Sequence, residues 1–303
     1  MNTGKEKPQS AQSSQVQHAN DGPPRTHTAI NRPPRNLKRY VSVFRIRLTY
    51  SLQYRTAALA GVATQFFWGF VLIMVYTAFY SASSSDPSIS LPQLVTYVWL
   101  QQSFLAFVML WFRDDELFRL ITTGNIAYEL CRPGDLYGFW YAKLLAQRMA
   151  SALLRCFPIM IVASLLPQPY RMMLPASLVS AGLFIIALLL GLLVLVAISM
   201  FIYISVFYTM SPYGSLLMFT VIGEFLAGLI IPVPLMPDWL QDIVYLFPFG
   251  WTADFPFRVY AGHFGHTEAL FGIMSQLIWL VALVTLGRQA MKKALRRVVV
   301  QGG

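Results

Sequence analysis

Long uncharged apolar blocks decide what this chain can fold into. They recur from Ala57 to Gly287, and several reach about 20 residues, the length a helix needs to cross the hydrocarbon of a bilayer. Of the 303 residues, 56% are hydrophobic and 12% are charged, against about 25% charged in an ordinary soluble domain. A soluble interior of this size has no room for so many such blocks. In hydrocarbon a backbone must satisfy its own N–H and C=O groups, so the blocks predict helices. The expected fold class is all-α: a polytopic membrane protein.

Six spans are expected, at about 57–80, 91–112, 144–166, 174–208, 215–231 and 268–287. Residues 1–36 are rich in Gln, Ser, Asn and Pro, too polar to offset the entropy of ordering, and are expected to form a disordered cytoplasmic arm. Their polarity also predicts no cleavable signal. Residues 37–55 place Val41, Phe44, Leu48 and Leu52 at helical spacing among Lys38, Arg39, Arg45, Arg47 and Arg55. That pattern predicts an amphipathic helix at the headgroups, with Asn36 as its cap; an extension of the first span is the alternative. Residues 113–143 form a hydrophilic interval, with one short helix expected over Leu117–Leu130 before Pro133 and Gly134 break it. Pro232–His266 holds five prolines among many aromatic residues and is expected to form short re-entrant helices before the last span.

Charge gives the orientation. Twenty of the 23 Lys and Arg fall in the N-terminal arm and helix, the 113–148 interval and the C-terminal tail. These segments carry seven acidic residues, a net of +13, whereas the remaining loops carry five acids against two arginines, a net of −3. Positive segments stay in the cytoplasm, so both termini are expected there. The net charge of +10 is accordingly read as topology, and no nucleic-acid partner is expected.

Known catalytic signatures are missing. The one Gly-Lys pair, Gly4-Lys5, has no phosphate-binding loop before it, and there is no Gly-x-Ser-x-Gly or His-Glu-x-x-His. Cys131 and Cys156 lie in a loop and a span, an arrangement of ordinary thiols. His263 and His266 lack a third ligand nearby, so no metal site is expected. Two ionisable residues lie inside expected spans, Arg155 and Glu224. A charge at that depth costs a few kcal/mol and should face protein or water, as an ion pair or a polar lining; for Arg155 the alternative is snorkelling. Ala187-x-x-x-Gly191 and Gly223-x-x-x-Ala227 are candidate close helix contacts.

Several pieces in order carry a family resemblance: Leu52-Gln53-Tyr54-Arg55 before the first span, Gly124 to Pro133 in the central interval, Gly228-Leu229-Ile230-Ile231-Pro232 with Leu235 to Leu240, Leu246-Phe247-Pro248-Phe249, Phe255-Pro256 with Arg258 to Gly262, and the basic end from Leu295 to Gly303. Over residues 38–303 the chain resembles the membrane subunit of ABC-2-type transporters. The resemblance implies an ABC-2-type transmembrane domain over 37–303, with an interface helix, six spans and re-entrant helices. It implies a non-enzymatic exporter permease in a bacterial inner membrane. It also implies a separate ATP-binding cassette subunit that holds ATP and magnesium, and a second permease chain, identical or different. The interval between spans two and three would dock on the ATPase, with Asp115, Glu116, Glu129, Arg132 and Pro133 as the coupling residues. Two other readings compete: an ion-coupled secondary transporter, which needs intramembrane acids and broken helices, and an intramembrane enzyme, which needs a reactive cluster.

Overall fold

A computed structural model of the chain describes residues 35–52, 55–82, 88–131 and 134–296. The polar arm up to residue 34, Gln53, Tyr54, residues 83–87 with Asp86, Arg132, Pro133 and the last seven residues lie outside the described residues. Among the described residues the regular structure is entirely helical. The order is α1 (Arg35–Leu52), α2 (Arg55–Ala82), α3 (Leu91–Ser103), α4 (Leu105–Val108), α5 (Asp115–Thr122), α6 (Ile126–Leu130), α7 (Leu136–Leu165), α8 (Leu178–Thr209) and α9 (Pro212–Leu226). A single 3-10 turn, Val233–Leu235, precedes α10 (Asp238–Leu246), α11 (Asp254–Tyr260) and α12 (His266–Leu295).

Among the described residues, four helices are long and apolar enough to cross a membrane: Ala60–Ala82, Leu136–Leu165, Leu178–Thr209 and His266–Leu295. They differ in what covers them. In α8, 67% of the most apolar window is buried by protein, against 22% in α2 and 22% in α12. Helix α8 is therefore the axis of the bundle, and α12, α11, α9 and α7 pack around it. The outer helices leave large apolar side chains exposed, including Phe67, Trp68 and Phe79 on α2, Phe157 and Ile161 on α7, and Phe271 and Ile278 on α12. An apolar surface this continuous is stable only against lipid or another apolar partner. The chain is a helical membrane protein.

Close contacts explain the small residues on the axis. A Cβ on Gly191 of α8 would stand 2.6 Å from the Thr252 carbonyl oxygen, so this crossing needs a bare backbone. On α9, Gly223 sits against Leu110 and the Phe249 ring.

Three local expectations are corrected. The stretch 91–112 is not one helix, because α3 ends at Ser103 and α4 at Val108. The stretch 215–231 is helical only to Leu226. There Gly228, at φ 75°, closes the helix: its N–H reaches the Phe225 carbonyl (3.1 Å) and the Leu229 N–H reaches that of Glu224 (3.0 Å). This paired closure needs a left-handed residue, which glycine supplies without strain. The 117–130 helix is split into α5 and α6 at Gly124, also at positive φ. In addition, α1 starts at Arg35, so Asn36 lies within it rather than capping it.

Helix α1 forms as its periodicity predicts and packs along the first half of α7. Tyr40 lies against Gly138, and farther along Arg47 and Lys143 share a carboxylate on α5. Between α9 and α12 the short helices α10 and α11 fill the proline-rich stretch, each starting beside an acid, Asp238 and Asp254, at the positive end of its dipole.

Candidate functional site

The residues between α3 and α5 form an irregular stretch, its first half buried in the bundle. Phe104 leaves helical geometry (φ −108°, ψ 23°), α4 makes a single turn, and Met109 is extended (φ −81°, ψ 129°). Ala106, Phe107, Val108 and Leu110 are all buried. Backbone groups freed there lack helical partners, and each one left buried and unpaired costs roughly 1–3 kcal/mol.

Side chains from three other helices supply the partners. Arg148 of α7 is 1% exposed and makes no ion pair among the described residues. Its Nη1 donates to the carbonyls of Ala106 (3.0 Å) and Met109 (2.7 Å). Its Nη2 donates to the Phe112 carbonyl (2.8 Å) and to Ser199 Oγ (3.2 Å) on α8. The guanidinium thus takes the place of a run of helical N–H donors, and converging carbonyl dipoles stabilise its charge. Glu224 of α9 works on the opposite polarity, its Oε1 accepting from the Trp111 N–H (3.3 Å). Tyr203 of α8 accepts the Asp114 N–H (2.8 Å). Gln147, beside Arg148 in sequence, donates to the Arg113 carbonyl (3.4 Å).

The stretch leads directly into charged joints. Asp114 caps α5 by accepting from the N–H groups of Glu116 (2.9 Å) and Leu117 (3.4 Å). Its other oxygen meets Lys143 Nζ of α7 at 3.0 Å, with both side chains at most one-tenth exposed. Lys143 also holds Glu116 (2.7 Å), and Arg47 of α1 reaches the same Glu116 oxygen (2.6 Å). Hydrogen bonding from Lys143, then from Arg47, pulls the Glu116 carboxyl down to about 2. One carboxylate therefore ties α1, α5 and α7 together.

A second buried polar group stands at the other end of α3. Asp254, fully buried on α11, accepts from Tyr97 of α3 (3.1 Å) and from the Tyr245 hydroxyl. Arg258, one turn on, lies 3.5 Å from Asp254 and donates to Tyr245 (2.6 Å). Tyr97 also bonds the Gly228 carbonyl (3.1 Å), and Gln101 bonds that of Leu229 (2.8 Å). The turn closing α9 is thereby fixed to α3.

Of the sequence-predicted residues, Asp115 is two-thirds exposed and pairs with Arg113 (2.7 Å), while Glu116 faces inward to the joint just described. Glu129 lies half-buried on α6; Arg132 and Pro133 fall outside the described residues. Arg155 and Glu224 form no ion pair among the described residues: Glu224 bonds the irregular stretch, and Arg155 lies against Gly61 of α2, its Nε without a hydrogen bond there. Sequence reasoning passed over Arg148, counting it at the edge of a span, and over Asp254. No breaker lies between Phe104 and Asp114, so the sequence holds no local sign of the break.

Chemically these groups bond backbone and one another. No group of three or more His, Cys, Asp or Glu able to hold a metal ion occurs among the described residues. The arrangement is suited to fixing one conformation of an interrupted helix within an apolar bundle. Comparison with protein-family models and with curated proteins finds no match for the chain.

Proposed function

We propose that this chain is the permease subunit of an ABC-2-type transporter, exporting its cargo across a bacterial inner membrane with ATP hydrolysed by a separate subunit. The observation that carries the reading is the order of elements: a basic amphipathic helix, a long apolar helix, charged short helices α5 and α6, and two short helices before the last long one. On this reading α3–α4 and α9 complete six spans with the four long helices. Both termini and α5–α6 face the cytoplasm, α10 and α11 are re-entrant from outside, and a second permease chain completes the path. Helices α5 and α6 receive the ATPase, and their motion reaches the bundle as a rigid-body change between two states. Asp115, Glu129, Arg132 and Pro133 contact the ATPase, while Glu116 braces α5 from behind.

The test is purification of the tagged full-length chain from its native membranes. A co-purifying ATP-binding cassette protein, with ATPase activity lost on replacing Glu129 and Arg132 together by Ala, is the expected result. Absence of any such protein, or unchanged binding and activity in the double variant, overturns the proposal. The interrupted helix beside Glu224 favours a second reading, an ion-coupled carrier. Uptake into vesicles that persists without ATP and follows an ion gradient would select it.

A further inference from the structure

Helices α7 and α12 leave an open groove on the outside of the bundle, with a volume of about 380 Å³. Its floor is apolar: Tyr141 from α7, then Leu280, Val281 and Val284 along α12. At one end it meets Arg288. The character of the lining changes along α12 from aliphatic through Thr285 to cationic, and Lys292 follows Arg288 by one turn on the same face.

The contacts at this end leave room for a further anion. Arg288 is 56% exposed; its guanidinium carbon stands 6.0 Å from the centre of the Tyr137 ring, and among the described residues its one acidic contact is Asp135, at 3.7 Å from Nε. Both terminal guanidinium nitrogens make no hydrogen bond among the described residues. Beside it, Tyr137 is 2% exposed, and its hydroxyl is buried against Gly287 with no hydrogen-bond partner.

We propose that this groove holds one anionic phospholipid, its phosphate at Arg288 and an acyl chain along Leu280, Val281 and Val284. Charge complementarity picks the headgroup: two cations on successive turns stand against one carboxylate, and a guanidinium suits a phosphate through two parallel N–H donors. Apolar length picks the tail, since the groove runs up helices that face lipid. The basic end is where a charged headgroup layer meets the helix, and each cation there favours an anionic lipid by about fivefold in affinity. The inference rests only on α7 and α12 crossing the membrane and is independent of the transporter proposal.

The full-length chain, purified in detergent, is exchanged into mixed micelles holding equal phosphatidylglycerol and phosphatidylcholine, and retained lipid is counted by native mass spectrometry. The wild type is expected to keep one phosphatidylglycerol in preference to phosphatidylcholine. Arg288→Gln should weaken that preference by about fivefold, Arg288→Lys should keep most of it, and Val284→Trp, which fills the groove, should remove the tightly held lipid of either class. A wild type with no preference, or Arg288→Gln and Val284→Trp variants that retain lipid as the wild type does, overturns the inference. No ATPase takes part, so failure here leaves the transporter reading untouched.

Discussion

Helix α8 and the path from α3 to α5 lie side by side in the same bundle, meet at the Tyr203 hydroxyl, and solve the same problem differently. The 32 residues of α8 satisfy their backbone internally and bring almost nothing polar to the core beyond a few hydroxyl groups. The α3–α5 path stops twice within 12 residues and gives its backbone bonds to Arg148, Glu224, Tyr203 and Gln147. One segment completes its backbone bonds internally, and Tyr141 and Gln276 only add second bonds to its Leu193 and Ala187 carbonyls. The other depends on distant helices, so its shape can respond when they move. An irregular backbone at membrane depth is tolerated only where protein encloses it, and here the enclosing groups are few enough to name.

The comparison breaks most completely at Arg148. Arg148→Leu leaves three carbonyls and Ser199 without their donor, and is expected to cost about 3–5 kcal/mol, read as loss of the monodisperse species in detergent. Arg148→Lys, with one charge and no fork, should recover part of this. On the α8 side, Gly191→Ala pushes a methyl group onto the Thr252 carbonyl, at an expected cost of about 1–3 kcal/mol in thermal unfolding. If Gly191→Ala proved the more damaging, close packing rather than backbone satisfaction would dominate both regions. Glu224→Leu frees one N–H on a half-exposed segment, and about 1 kcal/mol is expected.

The smallest effect concerns the joint beneath α5. The Glu116 carboxyl is held well below its ordinary value in the folded chain, so it is ionised there and more readily protonated when unfolded. Its stabilisation is present above the ordinary value of 4.5 and fades as the pH falls toward about 2. The side chain is half exposed, so the whole effect should stay below about 1 kcal/mol. Glu116→Gln should flatten the dependence of the unfolding temperature on pH across that window, measured against the wild type at fixed salt.

Most of the long helical structure was legible because composition and length determine it: α8 and the body of α12 follow from uninterrupted apolar runs, while α7 begins at Leu136, inside the interval expected to be hydrophilic. So were the short helices of the proline-rich stretch, and the helical periodicity of α1. The break after Ser103 was not, since its cause lies more than 30 residues away at Arg148 and on two other helices. Glu224 and Arg155 were both marked as unusual by their depth, but their contacts, the Trp111 N–H and Gly61, were not foreseen. Depth along a helix says that a charge needs company without saying whose. Buried carbonyls served as well as a counter-ion, and no pattern of residue types announces them. The inward role of Glu116 was hidden for a related reason, because both of its partners come from helices that meet α5 only in the folded chain.

The burial of α8 bears on how such a molecule is assembled. Its closest neighbours, α11 and α12, are synthesised after it. For that interval the central helix must stand in lipid with its future contact faces bare, and the unbroken apolar sequence lets it do so. The small residues at Ala187 and Gly191, of little use in lipid, become useful only when the later helices arrive. The most water-averse segment is thus made fit for an environment it leaves, and its packing face is held in reserve for the end of synthesis.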